Sequence, residues 1–222
     1  KFPMNLMYCA QLVSTEQKKL LYINSYHKGY QWSDGIEKGL LKALGIEIET
    51  DSNLMDTSLG PVQMKIVRMD TKRNEEEAFK KEAALKAKAV IETWKPDIVV
   101  ASDDNVCKYL IAPYYINADL PFVFCGVNVD ASMYGFPAPN ITGMVEVAPY
   151  METIDLMKQF SRGNRMGLIG TNTLSNRKEI ADLKKRIDMT NWQIHRVASF
   201  DQWKTAYLKL QDEVDMLILT NC

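Results

Sequence analysis

The sequence has few of the residues and patterns that mark metal-binding, nucleic-acid-binding and membrane-spanning proteins. Its 222 residues include only four cysteines and two histidines, without a Cys-x-x-Cys pair, so no zinc site is predicted. Lys plus Arg (27) nearly equals Asp plus Glu (28), and without a positive excess we expect no nucleic-acid partner. The sequence contains no run of about 20 apolar residues, which is the length that a membrane-spanning helix requires. The 46% hydrophobic content is that of a globular chain and excludes general disorder.

Motifs of the common nucleotide-binding and hydrolytic enzymes are also missing. No Gly-x-Gly-x-x-Gly follows the first predicted strand, and no Gly-Lys-Ser/Thr loop occurs. A Gly-x-Ser-x-Gly elbow is absent too. His195 is predicted inside a strand, which leaves only His27 for a Ser-His-Asp arrangement, and His27 fits a plain loop residue better. We therefore predict neither an enzyme nor a cofactor or metal.

The start of the chain resembles the end of a secretory signal. Lys1 is followed by an uncharged stretch that ends at Thr15, and a basic residue before a short apolar region is typical of such signals. Residues 1–16 are therefore predicted to be a leader or signal remnant, with a first strand as the alternative. Leu6-Met7-Tyr8-Cys9 resembles a lipoprotein signal, but Tyr8 stands where a small residue belongs, so lipidation of Cys9 and membrane anchoring stay open.

Cys107 and Cys125 lie in apolar stretches and are predicted to be buried small hydrophobic residues. A disulfide between them stays open, because the sequence cannot establish the required geometry.

Short apolar runs alternate with helical patterns from Gln17 onward. The predicted strands are residues 20–24, 62–69, 97–101, 121–125, 141–147, 165–169, 192–197 and 214–219. Strand-helix alternation predicts parallel sheets with helices on both faces. We expect the first four strands in one sheet and the last three in another.

A stretch of weak periodicity divides the chain into two predicted lobes. Residues 126–140 hold two glycines and two prolines and read as a connection. The predicted fold class is α/β with two Rossmann-like lobes: a first lobe at 17–128, a connection at 129–148 and a second lobe at 149–222. Because the chain stops directly after a buried strand, the second lobe is predicted to be incomplete, which leaves an apolar face uncovered near Leu217 and Leu219.

Polar residues at local positions predict where several helices begin. Ser33 and Ser175 are predicted N-caps, and Asn74 and Ser199 are each followed three residues later by Glu or Gln, as in a capping box. The last helix is predicted to bury the apolar positions Phe200, Trp203, Tyr207 and Leu210.

Polar side chains follow five predicted strands, at the edge of a parallel sheet where ligands bind. The residues predicted to line a ligand site are Tyr26, Trp32, Ser102, Asp103, Asp104, Asn105, Asn128, Thr171 and Asn172. For a single serine or aspartate among them, helix capping is the favoured interpretation. The repetition across five strand ends is what predicts a site, and the acidic pair Asp103-Asp104 suits an amine or several hydroxyls.

Six segments of the chain match the pattern of a known protein family: Leu21-Tyr22-Ile23-Asn24-Ser25-Tyr26-His27, Gly29-Tyr30-Gln31-Trp32-Ser33, Met69-Asp70-Thr71-Lys72-Arg73-Asn74, Ala101-Ser102-Asp103-Asp104-Asn105, Phe122-Val123-Phe124-Cys125-Gly126-Val127-Asn128 and Thr142-Gly143-Met144-Val145-Glu146. Together they resemble the ABC-transporter substrate-binding-protein-like family. The resemblance implies the type I periplasmic-binding-protein fold, with a ligand clamped between two lobes and no chemistry. The polar excursion at 46–61 is longer than usual for the family, and the expected return of the chain to the first lobe is missing.

The resulting hypothesis is an extracytoplasmic or periplasmic solute-binding protein of an ABC importer. Its partners would be a small-molecule ligand, such as an amino acid or another small polar solute, and an ABC permease. The first alternative is the ligand-sensing domain of a membrane histidine kinase or cyclic-dinucleotide receptor, with an attached signalling module as the partner. The second alternative is a cytoplasmic α/β enzyme.

Overall fold

The computed structural model describes residues 17–45 and 62–220 together with the backbone of Asp56–Leu59. The predicted leader, Cys9 and most of the excursion at 46–61 lie outside these residues. The strands are β1 (Lys18–Asn24), β2 (Asp56–Leu59), β3 (Val62–Arg68), β4 (Ile98–Ser102), β5 (Phe122–Asn128), β6 (Ile141–Glu146), β7 (Met166–Thr171), β8 (Gln193–Val197) and β9 (Met216–Leu219). The helices are α1 (Gln31–Ala43), α2 (Glu77–Trp94), α3 (Asp104–Val106), α4 (Ala112–Tyr114), α5 (Tyr150–Phe160), α6 (Leu174–Arg186) and α7 (Phe200–Glu213), and a π-helical turn at Cys107–Ile111 joins α3 to α4.

The strands form two sheets, as the alternating pattern predicts. The first has the order β2-β3-β1-β4-β5-β6 and the second the order β8-β7-β9. β1 pairs with β3, β5 with β6, and β7 with both β8 and β9 in parallel, whereas the short β2 pairs antiparallel with β3. The predicted α/β class with two parallel sheets is confirmed.

One strand was not predicted from the sequence: β2 falls within the polar excursion at 46–61. β6 matches the strand predicted at 141–147, which lies inside the predicted connection at 129–148. β6 extends the first sheet by pairing with β5, so part of the predicted connection is an edge strand of that sheet.

The described residues divide into two compact units, one ending at Val100 and the other beginning at Ala101. In the first unit, apolar residues of β1 and β3 pack against α1: Leu20, Tyr22, Met64 and Ile66 are buried and meet Ile36, Leu40 and Leu41. In the second, one face of the β7 sheet packs under α5 and α6 and the other under α7. These two clusters comprise Ile154, Met166, Leu168, Ile180, Leu183, Met189, Met216 and Ile218 on one side and Ile169, Val197, Ala206 and Leu210 on the other.

The predicted caps of α1 and α2 are wrong. α1 begins two residues before Ser33, whose buried hydroxyl donates to the Tyr30 carbonyl at 3.2 Å and caps nothing. Asn74 donates its side-chain amide to the Asp70 carbonyl at 3.0 Å, and α2 starts after Glu76 without a side-chain cap. Both side chains have found a nearby carbonyl, a local hydrogen bond that competes with capping.

The cap of α6 is displaced by two residues, whereas that of α7 is confirmed. Thr173, and not Ser175, accepts a hydrogen bond from the backbone N–H of Asn176. Ser199 accepts from the backbone N–H of Gln202 at 3.3 Å, as the capping box predicts.

The apolar face of α7 differs from its prediction at one end. Leu210 is fully buried, and Trp203 and Tyr207 are partly buried. Phe200 is 69% exposed, so its predicted burial is wrong. Its ring stacks on Trp203 at 5.8 Å between centroids, which covers one face and leaves the other to solvent. Of the face predicted to be uncovered, Leu219 is 47% exposed, whereas Leu217 packs against the α7 cluster.

Candidate functional site

The loop after β4 makes a sharp turn at Asp103. This residue has a positive φ of 83°, and its backbone N–H donates to the Cys125 carbonyl at 3.0 Å. Its side chain accepts from the backbone N–H of Asn105 at 3.0 Å, so Asp103 caps the helical segment that follows. Ser102 and Asp103 are both buried. The capping interpretation weighed from the sequence therefore describes the carboxylate of Asp103.

Asp104 is the centre of a buried polar network. Its Oδ1 accepts hydrogen bonds from the Tyr134 hydroxyl and from Lys178 Nζ, each at 2.7 Å. Its Oδ2 accepts from the backbone N–H of Asn128 at 3.1 Å and from Asn128 Nδ2 at 2.8 Å. The side chains of Asp104 and Lys178 are only 2% and 10% exposed. The structure thus brings together two predicted site residues, Asp104 and Asn128, at the adjoining ends of β4 and β5.

The Asp104 network is fully satisfied within the protein. An ionised carboxylate offers about four acceptor positions, and all four are occupied by the donors just named. Burial, followed by the negative charge of Asp104, raises the pKa of the Tyr134 phenol far above its ordinary value, so the phenol stays protonated and keeps donating. An amine ligand therefore reaches Asp104 only by displacing Lys178.

Glu179, the residue after Lys178, is a second carboxylate in this region. Its Oε2 accepts from the Tyr150 hydroxyl at 3.2 Å and from Asn176 Nδ2 at 3.4 Å, and its Oε1 makes no hydrogen bond to any residue of the described ranges. Burial raises the pKa of Glu179, and the negative charges of Glu146 and Asp104 add to that rise, whereas its two hydrogen bonds oppose it. Glu179 thus offers an oxygen that can accept from a ligand.

The loop after β7 is tied to α6 by local contacts. Thr171 Oγ1 lies 3.1 Å from the Oγ1 of Thr173. Asn172 is exposed and accepts from Arg177 Nη1 through its carbonyl and side-chain oxygens. Asn176 is buried, and a Cβ on Gly170 would come within 2.3 Å of its Oδ1. Glycine at 170 therefore lets α6 begin close against the end of β7.

The loop after β1 carries a cluster of aromatic side chains. The rings of Tyr26 and Tyr30 lie 5.0 Å apart in an edge-to-face arrangement, and those of Tyr26 and Trp32 lie 5.8 Å apart. Lys72 Nζ lies over both tyrosine rings, at 5.7 Å from Tyr26 and 5.4 Å from Tyr30. Tyr26 and Trp32 are thus in contact, as expected of a shared aromatic platform.

His27 lies in the same loop, as predicted. Its Nδ1 is 3.5 Å from Asp70 Oδ1 but makes no hydrogen bond. Hydrogen bonds from Arg73 lower the pKa of Asp70, and the positive charge of Arg73 contributes further. Asp70 therefore binds Arg73 and does not accept a hydrogen bond from His27. A histidine activated by a carboxylate would need that hydrogen bond.

Sequence reasoning missed four residues that build these clusters: Lys72, Tyr134, Lys178 and Glu179. Lys178 and Glu179 stand in a charged run of α6 that is typical of a solvated helix face. Tyr134 lies in the segment of weak periodicity that was predicted to be a connection. Lys72 falls within a segment that carries the family resemblance, and this was the one signal that could have drawn attention to it.

Cys107 is buried, as predicted, whereas Cys125 is only half-buried, so its predicted burial is wrong in part. Both are free thiols, and the disulfide that the sequence left open is not formed. Desolvation raises the pKa of Cys107 well above its ordinary value, and the nearby negative charge of Asp104 adds to this.

A groove of about 410 Å³ lies between β8 and α7, and none of the predicted site residues lines it. It is lined by His195, Arg196, Val197, Asp201, Gln202, Thr205, Ala206 and Lys209. In the ranges 17–45 and 62–220, no three His, Cys, Asp or Glu side chains converge as metal ligands.

No family model and no curated protein matches the chain. Several solved structures, in contrast, align with the chain. The ABC domain of a Streptococcus pneumoniae protein in complex with L-Trp aligns at a TM-score of 0.60 and 14% identity, covering 92% of this chain and 65% of that one. The chain has the fold of a type I periplasmic solute-binding protein.

Two further structures support the same fold. A solute-binding protein of an ABC transporter from Rhodopseudomonas palustris, in complex with 4-hydroxybenzoate, aligns at a TM-score of 0.60 and 14% identity over 93% of this chain and 54% of that one. A ligand-free, open substrate-binding protein with adhesive properties from Clostridium difficile aligns at a TM-score of 0.57 and 12% identity, covering 91% of this chain and 65% of that one. The chain thus spans less than two thirds of the length of each of these solute-binding proteins.

Among the described residues of this solute-binding-protein fold, no helix is long and apolar enough to cross a bilayer.

Proposed function

We propose that the chain binds a small polar solute as the solute-binding protein of an ABC importer, outside the cytoplasmic membrane and without chemistry. The observation that carries the proposal is the fold shared with solute-binding proteins solved with small ligands, L-Trp in one and 4-hydroxybenzoate in another. The polar residues at the strand ends support it, because that edge of a parallel sheet is where ligands bind.

Each predicted site residue takes a specific role in this proposal. Tyr26 and Trp32 present aromatic faces to the apolar part of the solute. Asp104 and Asn128 hold Lys178 and Tyr134 in place, and Asp103 fixes the turn before them. We propose that Ser102, Asn105, Thr171 and Asn172 supply further polar contacts through their hydroxyl and amide groups.

Glu179 is proposed to accept a hydrogen bond from the solute. Its Oε2 already binds Tyr150 and Asn176, which fixes the orientation of the carboxylate, and Oε1 is left for a ligand hydroxyl or amine. A fixed, half-buried acceptor discriminates strongly, because a ligand without the matching donor leaves the acceptor unpaired.

Thermal-shift screening against a library of small polar solutes tests ligand binding. A solute present at 100 times its Kd stabilises the folded state by about 2.7 kcal/mol. For a chain of this size the melting temperature then rises by about 5–10 °C. A library of amino acids, aromatic acids and polyols without a single such shift would contradict the proposal.

Matched variants then test the site. Glu179→Gln should weaken binding of the solute found in the screen by about 10- to 150-fold, since one unpaired or weakened charged hydrogen bond costs about 1.5–3 kcal/mol. Glu152→Gln, an exposed glutamate on α5, is the control and should bind as the unmodified protein does. Equal affinity of both variants would remove Glu179 from the site.

The importer role is tested separately from binding. Cells that lack the gene should lose uptake of the radiolabelled solute, and fractionation should place the protein outside the cytoplasmic membrane. Unchanged uptake together with a lost transcriptional response to the solute would favour a ligand-sensing receptor domain over a carrier.

A further inference from the structure

Lys72 is a half-buried cation whose position is defined by two aromatic rings. Its Nζ lies 5.7 Å from the ring centre of Tyr26 and 5.4 Å from that of Tyr30. Such cation–π contacts hold an ammonium group in place but leave its positive charge without a counter-ion. Within the described ranges, Lys72 makes no ion pair and no hydrogen bond.

The acidic side chains around this cluster are bound elsewhere. Asp70 lies two residues before Lys72, and its two carboxylate oxygens accept hydrogen bonds from Arg73 at 2.8 and 2.6 Å. Glu37 pairs with Arg68 at 2.6 Å. Asp34 accepts a hydrogen bond from the backbone N–H of Gly29 at 2.9 Å. The chain therefore provides carboxylates in this region but directs none of them to Lys72.

Backbone hydrogen bonds hold the two loops of the cluster together. The Met69 N–H donates to the Asn24 carbonyl at 2.8 Å. Thr71 donates to the Ser25 carbonyl twice, from its N–H at 2.8 Å and from its hydroxyl at 2.7 Å. Lys72 and Tyr26, the next residues along each loop, are thus placed side by side by buried contacts, and their arrangement does not depend on a ligand.

We propose that Lys72 is the counter-ion of an organic anion, and that the proposed solute is an aromatic or flat apolar molecule bearing a carboxylate. The carboxylate would pair with Lys72, while the apolar body would pack on Tyr26 and Trp32. The ammonium has three donors and is already partly desolvated, so pairing with a carboxylate costs little further desolvation. This inference rests on the proposed solute-binding function and narrows its ligand class.

Two probes of the same shape and opposite charge test the ligand class. Benzoate and benzylamine are titrated into the full chain at low ionic strength, and binding is followed by saturation-transfer NMR and by Trp fluorescence. Benzoate should bind and benzylamine should not. Binding of benzoate should weaken as salt is added, because partly exposed charges are screened.

Variants of one lysine and a matched control complete the test. Lys72→Met should weaken benzoate binding by about tenfold or more, whereas Lys72→Arg, which retains the charge, should restore most of it. Lys38→Met removes an exposed lysine of α1 and should leave binding unchanged. Circular dichroism of each variant checks that it remains folded.

The remaining outcomes separate this inference from the proposed function. Preferential binding of benzylamine, unaltered benzoate binding to Lys72→Met, or no benzoate binding to the unmodified chain would each overturn the inference. If a solute from the thermal-shift screen still binds in those cases, solute binding stands and Lys72 has no part in it. If neither the probes nor any library solute binds, both proposals fail.

Discussion

Replacing Lys178 with methionine tests the energetics of the Asp104 network. The variant keeps the volume and the apolar stem of the side chain but removes the positive charge 2.7 Å from Asp104 Oδ1. Because the side chain of Asp104 is only 2% exposed, its charge is left buried with only neutral donors. Breaking a buried ion pair by removing one partner costs about 3–5 kcal/mol, which corresponds to about 6–20 °C in the melting temperature of a chain of this size.

The assay is urea unfolding followed by circular dichroism, with two further variants. Lys184→Met removes an exposed lysine of the same helix and should change the free energy of unfolding by no more than about 0.5 kcal/mol. Asp104→Asn combined with Lys178→Met should be more stable than Lys178→Met alone, because an amide at 104 can still accept from Asn128 and donate to Tyr134 without a buried charge. A coupling of about 1–3 kcal/mol is expected from the double-mutant cycle.

Two results would contradict the assignment of Asp104 and Lys178 as a buried ion pair. If Lys178→Met loses no more stability than Lys184→Met, the ammonium contributes nothing that water cannot replace, and the network is not a buried ion pair in solution. If the double variant loses more unfolding free energy than the two single variants lose in sum, the neutral amide is not tolerated at position 104.

Three other measurements follow from burial and charge. The raised pKa of Glu179 means that its protonated form is favoured in the folded state. It therefore stabilises the fold below the ordinary glutamate pKa of about 4.3, and this contribution is lost as the pH rises through the raised value. Glu179→Gln should abolish that part of the pH dependence, and identical pH profiles of the two proteins would contradict it. Cys107, buried with a pKa well above its ordinary value, should resist alkylation by iodoacetamide at neutral pH until the protein unfolds. Peptide mapping by mass spectrometry checks this, and rapid labelling in the folded protein would show that the thiol is accessible. Leu210→Ala in the fully buried position of α7 should cost about 2–5 kcal/mol, whereas Leu208→Ala, at a position 65% exposed on the same helix, should stay within about 0.5 kcal/mol. Similar losses in both variants by chemical denaturation would mean that the α7 face is assigned incorrectly.

Local sequence patterns were sufficient for every strand of the two sheets except β2. The run Met166–Gly170 is buried throughout, and a run that is apolar on both faces requires helices on both sides wherever it lies in the fold. The cap at Ser199 was also predictable, because the two partners of that hydrogen bond are three residues apart and need no other element. The family resemblance predicted the fold, and the solved structures confirm it.

Predictions of helix caps are wrong where a side chain has two local hydrogen-bond partners of similar energy. Ser33 and Asn74 each sit near a backbone carbonyl as well as near a helix start, and each donates to the carbonyl. Single hydrogen bonds differ by about 1 kcal/mol or less, so the surrounding backbone decides between them and the pattern of residue types does not.

The polar networks were decided by tertiary structure alone. Lys178 meets Asp104 across 74 residues of sequence, and it comes from a charged run that looks like an ordinary solvated surface of α6. Tyr134 comes from a segment without periodicity, and Lys72 reaches Tyr26 only because β1 and β3 are neighbours in the sheet. With the exception of β2, the sequence by itself determined which segments are strands and helices, since burial leaves a periodic trace in residue type. Which polar side chains meet at the ends of those strands was settled only by strand order and packing, because one distant ion pair leaves no trace in the local pattern.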